Sequence, residues 1–178
     1  MSRKKQKLKI IYEGDPILRK KAKPVKTFDN NLKELAKNMA KVMVESNGIG
    51  LAAPQVGISK RIIVVKPYKE TAALALINPT LKPVGKEIST YQEGCLSVPG
   101  SQADVDRPAK VYVKAQTVDG EEIEFEADEI LARVLQHEVD HLKGILFIDY
   151  LSESERKNIL RKMKVAIKEN QEQQSCAF

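Results

Sequence analysis

The chain's only two histidines stand four residues apart with a glutamate directly after the first, as His137-Glu138-Val139-Asp140-His141. On a helix, that spacing puts both imidazoles on one face, one above the other, as two ligands of a single metal ion require. The Glu138 carboxylate lies about 100° round such a helix, within reach of a water on that ion without being needed as a ligand. The plainer reading is a pair of surface histidines flanking a turn. Against it, Ile130, Val134, His137 and His141 share one helical stripe, which turns the imidazoles toward the interior.

Two histidines leave an open catalytic site one protein ligand short, since such sites generally keep three plus water. The extended metalloprotease pattern puts a third histidine six residues after the second, where this chain has Phe147. The thermolysin-like pattern needs a glutamate roughly twenty residues downstream, where Leu160, Arg161, Lys162 and Met163 stand. Both are disfavoured. Cys95, in Glu93-Gly94-Cys95-Leu96-Ser97, remains a good candidate because a thiolate binds divalent metals strongly. A buried core cysteine is the alternative.

Gly48 to Gly57 combines three glycines, two alanines and one polar residue, Gln55, in an apolar setting. Small residues permit close backbone approach, and a buried glutamine amide can donate to a developing oxyanion. A tight helix-to-strand connection is the alternative.

The elements that must position these residues follow from periodicity and turn chemistry. Asp29 precedes Leu32, Leu35, Ala36, Met39, Val42 and Met43 at helical spacing, and Asn47-Gly48 supplies a stop, which predicts a helix from Asp29 to Ser46. Arg61 to Pro67, Leu74 to Val84 and Glu87 to Val98 predict short strands, the second broken by Asn-Pro and Lys-Pro. Lys110 to Thr117 and Glu121 to Ala127 alternate about Asp119-Gly120, a hairpin signal. Ile130, Leu131, Val134, Leu135 and Leu142 mark the helix carrying the histidines, with Asp128 near its start and Gly144 at its end. Ser152 and Glu155 form a capping box ahead of Ile159, Leu160, Met163, Ala166 and Ile167, an amphipathic C-terminal helix. The expected fold class is α+β, with short antiparallel sheets packed around the H-E-x-x-H helix.

At 178 residues, without repeat or linker, the chain is expected to form one domain: a core of about residues 8–150 and a helical extension of about 152–178. Hydrophobic residues at 42% and charged residues at 30% exclude a disordered chain, and no run approaches the ~20 apolar residues of a membrane span. No apolar stretch of a signal peptide follows the basic start, so a cytoplasmic protein is expected, with Cys95 and Cys176 as thiols. The net charge of +6 gathers partly in Arg3 to Lys9 and Arg156 to Lys168; a solvated surface is the plain reading and an anionic partner such as RNA the sharper one.

Taken together, G-I-G-L-A-A-P-Q, E-G-C-L-S and Q-H-E-V-D-H, in this order and spacing, resemble the three signature motifs of peptide deformylases. The likeness runs from Gly14-Asp15-Pro16 through Ile77-Asn78-Pro79 to Gly144–Asp149, about the first 150 residues. The resemblance implies an enzyme that removes the formyl group from the initiator formyl-methionine of nascent polypeptides and releases formate. It implies Cys95, His137 and His141 as ligands of one divalent ion, Fe²⁺ in the first place, with Zn²⁺, Ni²⁺ or Co²⁺ as substitutes. It further implies Glu138 as general acid/base, and the Gln55 side-chain amide and the Leu96 backbone N–H as oxyanion donors. Coordination lowers the pKa of water from 15.7 toward ~7, so hydroxide is available for attack on the formyl carbon.

The resemblance further implies that the substrate peptide pairs with extended backbone around Ile49, Gly50 and Gly94 and places methionine in an apolar pocket, for which Ile130 and Val134 are the candidates, with Arg133 and Tyr91 near its mouth. Ordinary helix core is the alternative for that pair. Asp140 and Arg107 are candidates to stand behind the histidines, since ligating imidazoles usually donate to a carboxylate that is itself held in place. Two other classes stay open: a zinc metallopeptidase or aminopeptidase, and a non-catalytic module docking on nucleic acid through its basic termini. DNA and membrane are not expected partners, whereas the resemblance to deformylases, some bacterial members of which touch the ribosome with this helix, implies a ribosome contact for the C-terminal helix, where Arg156, Arg161, Lys162 and Lys164 could meet rRNA phosphates.

Overall fold

The computed structural model describes residues 8–175, so most of the Arg3–Lys9 cluster, and Cys176, lie outside the described residues. The order of elements is α1 (Asn30–Glu45), β1 (Gly50–Ala52), β2 (Ile62–Val65), β3 (Leu74–Pro83), β4 (Ile88–Cys95), β5 (Val98–Pro108), β6 (Val111–Gln116), β7 (Glu122–Ala127), α2 (Glu129–Lys143) and α3 (Glu153–Ser175). All strand pairs are antiparallel: β1-β2-β3-β6-β7 form one sheet, and β4 and β5 form a second. The α+β class is thereby observed.

The four residues of β2 are all buried, and they serve two cores. Ile62 and Val64 pack with Leu32, Met39 and Met43 of α1, while Ile63 and Val65 pack with Leu135, Val139 and Leu142 of α2. A strand covered on both faces reads as an unbroken apolar run, which is why Arg61 to Pro67 lacks alternation. Each such Leu or Ile contributes about 1.5–3 kcal/mol by leaving water. A third core joins Val98 and Val105 of β5 to Leu146, Phe147 and Ile148 and to Ile159 and Met163 of α3.

Helix α2 runs between these layers and is buried from Ala132 to Leu142. Its apolar side meets the five-stranded sheet. Its polar residues, Arg133, Gln136, His137, Glu138, Asp140 and His141, are buried as well, so the face that a surface helix would present to water meets protein here. Burying charges and imidazoles is costly unless they are paired, so this face must be satisfied by its neighbours.

Three local expectations change. Leu74–Pro83 is one strand rather than two pieces: its register shifts between Ile77 and Thr80, and Asn78 sits at φ 52, its side chain bonding both the N–H and the carbonyl of Val25. Glu87–Val98 is not one strand, since the chain reverses at Leu96-Ser97 and continues as β5, whose Pro, Gly and acidic residues carry no strand pattern. At Asp119-Gly120 only Gly120 has positive φ (89°), and Thr117 pairs with Glu121 across a three-residue loop rather than a two-residue turn.

Helix boundaries follow their caps. Asp29 accepts the Leu32 N–H ahead of α1, and Gly144, at φ 81, closes α2 with its N–H on Asp140 and His141 carbonyls. The Ser152–Glu155 box is formed reciprocally at the start of α3.

Candidate active site

Cys95 ends β4 at the tip of the β4–β5 hairpin, where the register jumps: Gly94 pairs with Gln102 but Cys95 with Val98, leaving Pro99 to Ser101 as a bulge in β5. Bulges re-aim side chains. This one brings the Cys95 Sγ to 3.3 Å from His141 Nε2, while His137 Nε2 lies 3.3 Å from the same nitrogen. The three donors lie within 4.8 Å of one another, the one such group of three among the described residues.

Those distances suit a metal ion. Two nitrogens each about 2.0–2.1 Å from a tetrahedral ion are themselves roughly 3.3–3.4 Å apart. Burial opposes charge on His137, but Cys95 and Glu93 outweigh it and raise its pKa, whereas burial lowers that of His141. Both imidazoles turn a ring nitrogen toward the Cys95 sulfur, the donor arrangement that one cation would need. A soft thiolate with two imidazoles suits zinc, iron, cobalt or nickel.

The other nitrogen of His137, Nδ1, is 2.9 Å from Glu93 Oε2. Burial would raise the Glu93 carboxyl, but its bonds to His137 and Arg107 hold it well below the usual carboxylate range. Arg107 grips Glu93 through Nε (2.6 Å) and Nη2 (3.0 Å) and reaches Asp140 through Nη1 (2.6 Å); the Tyr150 hydroxyl donates to the same Asp140 oxygen (2.7 Å). Asp140 and Arg107 form an ion pair, but Asp140 bonds neither imidazole: Glu93 is the carboxylate that touches His137, and His141 Nδ1 is buried without a partner among the described residues. Sequence reasoning did not single out Glu93; the one signal was its place two residues before Cys95, since residues two apart in a strand share a face, though the register shifts between Gly94 and Cys95.

Glu138 is 4% exposed, and burial pushes its carboxyl up to about 7, where a group both accepts and returns protons at neutral pH. Its Oε2 is buried without a hydrogen-bond partner among the described residues. Only a glycine at position 50 leaves it room: a Cβ there would collide with Glu138 Oε1 and come within 2.7 Å of Val134.

Gln55 closes a 3₁₀ turn, Ala53–Val56. Its Oε1 accepts the Ala52 N–H at 2.8 Å, which fixes the amide so that Nε2 points at Ser97 Oγ (3.2 Å) and Cys95 Sγ (3.5 Å). Leu96 occupies the β4–β5 turn. Gln55, Leu96, Ile49, Gly50, Gly94, Ile130, Val134, His137 and Glu138 all line one cavity of about 710 Å³. Tyr91 is not among its lining residues; it is exposed, and its ring lies under the Arg133 guanidinium, 5.5 Å away.

A polarising ion site, a buried proton acceptor and an amide donor around one cavity equip the protein for hydrolysis of an acyl bond: its class is that of α+β metal-dependent hydrolases. The family model for polypeptide deformylase matches residues 7–157. A peptide deformylase of Bartonella henselae is 43% identical over 169 residues, 93% of this chain and 96% of that protein, and one of Natranaerobius thermophilus is 51% identical over 145 residues, 82% and 92% of the two. The crystal structure of a peptide deformylase from Legionella pneumophila superposes with a TM-score of 0.87 at 40% identity, covering 92% of this chain and 96% of that one. The chain belongs to the polypeptide deformylase family, and it is a metal-dependent hydrolase that removes the formyl group from nascent peptides. No helix among the described residues is long and apolar enough to cross a membrane.

Proposed function

We propose that Cys95, His137 and His141 hold one divalent ion, Fe²⁺ with Zn²⁺, Ni²⁺ or Co²⁺ as substitutes, and that the substrate is the initiator formyl-methionine of a nascent polypeptide. The observation that carries this reading is the convergence of the three donors beside a buried carboxyl of near-neutral pKa. When bound, the ion supplies Lewis acidity at the formyl carbonyl and makes water acidic enough to be deprotonated near neutral pH.

The chain's own groups do the rest. Glu138 takes the proton of the attacking water and returns it to the departing amine; among the described residues, no other carboxylate or histidine outside the donor set lines the cavity except Glu93, which is held on Arg107, Arg133 and His137. The Gln55 amide and the Leu96 N–H donate to the oxygen on which charge develops. The peptide runs beside β1, the terminal strand of its sheet, at Ile49 and Gly50, and past Gly94 of β4, adding main-chain hydrogen bonds to exposed strand edges. The methionine side chain lies against Ile130 and Val134.

The test is Glu138→Ala. It should keep stoichiometric metal yet release formate from a formyl-Met peptide about 10²–10⁴-fold more slowly. Full activity would sink the role given to Glu138. Mass spectrometry that finds unformylated residues removed from the peptide, in place of formate release, would assign a metallopeptidase instead.

Helix α3 adds a candidate partner, the ribosome. Arg161, Lys162 and Lys164 are exposed, and Arg156 lies 3.6 Å from Asp149 at the helix start. Reversing Arg161, Lys162 and Lys164 to Glu should weaken salt-sensitive co-sedimentation with ribosomes and leave turnover of a free peptide unchanged.

A further inference from the structure

Arg133, expected near the pocket mouth, does line the cavity, yet it is 5% exposed and makes four bonds inside the protein. Its Nη1 donates to Glu93 Oε1 (2.9 Å) and to the Val105 carbonyl (2.8 Å); its Nη2 donates to the Ser89 carbonyl (2.6 Å) and hydroxyl (3.0 Å). It sits four residues before His137, on the same helical line, and reaches across to both strands of the β4–β5 hairpin. Glu93 is therefore held at three sides: Arg107 takes both oxygens, Arg133 takes Oε1, and His137 meets Oε2.

We infer that Arg133 is a positioning residue for the metal centre, which locks the Glu93 carboxylate so that Oε2 stays on His137 Nδ1. The inference rests on the ligand set proposed above. Arg107, itself tied to Asp140 of α2, meets Glu93 from one guanidinium edge only, which leaves the outer side of Oε1 to a second donor. A second guanidinium on Oε1, anchored to two carbonyls that belong to the sheet backbone, closes that side. His137 and Arg133 ride on one helix, so the distance between the imidazole and the clamp on its carboxylate is set by α2 itself. The rival account is that Arg133 only staples the hairpin to α2 through Ser89 and Val105.

The two accounts part in metal binding. The readouts are affinity for Co²⁺, by competition with a chelator, the visible absorption of the Co²⁺ protein, and thermal unfolding of the metal-free form. Arg133→Met should weaken Co²⁺ about tenfold, the low end of the loss seen when groups behind a ligating histidine are removed, and should alter the Co²⁺ spectrum. Arg133→Lys keeps a cation within reach of Glu93 but forfeits the fork to Ser89 and Val105, and it should regain only part of that affinity, more than Arg133→Met and less than wild type. Ser89→Ala trims the staple alone and should lower stability without moving Co²⁺ affinity. Should Arg133→Met not accumulate folded, Arg133→Gln, uncharged but able to donate, asks the same question. A folded Met or Gln variant that binds Co²⁺ as tightly as wild type with the same spectrum overturns the inference, as does an affinity that merely follows unfolding temperature across all the variants. Failure of the wild-type protein to bind Co²⁺ would instead strike the proposed ligand set.

Discussion

The Gln55 side chain has two ends with different work, so one substitution can separate them. Its Oε1 accepts the Ala52 N–H and its Nε2 faces Ser97 and Cys95. Gln55→Glu keeps the acceptor but loses the donor and buries a carboxyl beside Cys95, so kcat for formate release should fall by at least about 10²–10³-fold, the loss expected for one oxyanion donor, and thermal stability should drop with it. A fall in stability with unchanged kcat would make Gln55 a loop-fixing residue only. Gly50→Ala is the complementary case: the added methyl meets the Glu138 carboxylate and Val134, and overpacking of that kind costs about 1–3 kcal/mol. Activity should be lost beyond that, because the carboxylate must move, and calorimetry alongside a formate assay reads both. His137, Glu138 and His141 were legible because helical spacing is a property of the sequence itself. Glu93's contact was harder to read, because whether β4 turns that face to α2 or to solvent is decided by the hairpin's packing.

At the level of elements, burial reversed the meaning of a familiar pattern. Alternation of apolar and polar residues in α2 reads as a surface helix, and its apolar side was read correctly. What the pattern lacks is any record of the β4–β5 sheet that covers the polar side, since β5 is built from Pro99, Gly100, Ser101, Asp104 and Asp106, residues chosen for a bulge and an exposed edge rather than a core. The Asn78 kink in β3 is a similar case: Asn-Pro reads as a break, but the side chain itself replaces the missing partner by bonding Val25 on both sides, and it also donates to Gln116. Asn78→Ala should therefore destabilise by about 2–4 kcal/mol, from unpaired Val25 groups and from an L-residue held at φ 52. Denaturant titration would show it as a lower midpoint with an unchanged slope. Activity below the transition should persist, since Asn78 does not line the active-site cavity.

Across the whole molecule, the donors come from two separately hydrogen-bonded bodies: His137 and His141 from the helix packed on the five-stranded sheet, Cys95 from the tip of the two-stranded one. An ion held by all three is then a tie between layers, and its binding energy belongs to the fold. Linkage makes this quantitative. A ligand that binds only the folded chain stabilises it by about 2.7 kcal/mol at one hundred times its Kd, and by about 1.4 kcal/mol more for each further tenfold. The unfolding temperature of the wild-type protein should thus climb steadily with the logarithm of free Zn²⁺ and fall when a chelator is added. Cys95→Ala removes the one donor on the far layer and leaves the helix pair intact, so residual binding by His137 and His141 no longer bridges the sheets, and the dependence on Zn²⁺ should flatten. Hydrogen exchange sharpens the expectation: amides of β4 and β5 should lose protection on chelation more than those of β2, whose four residues are buried between α1 and α2. Uniform loss across both sheets would mean that the two bodies unfold as one and that the ion is not their tie.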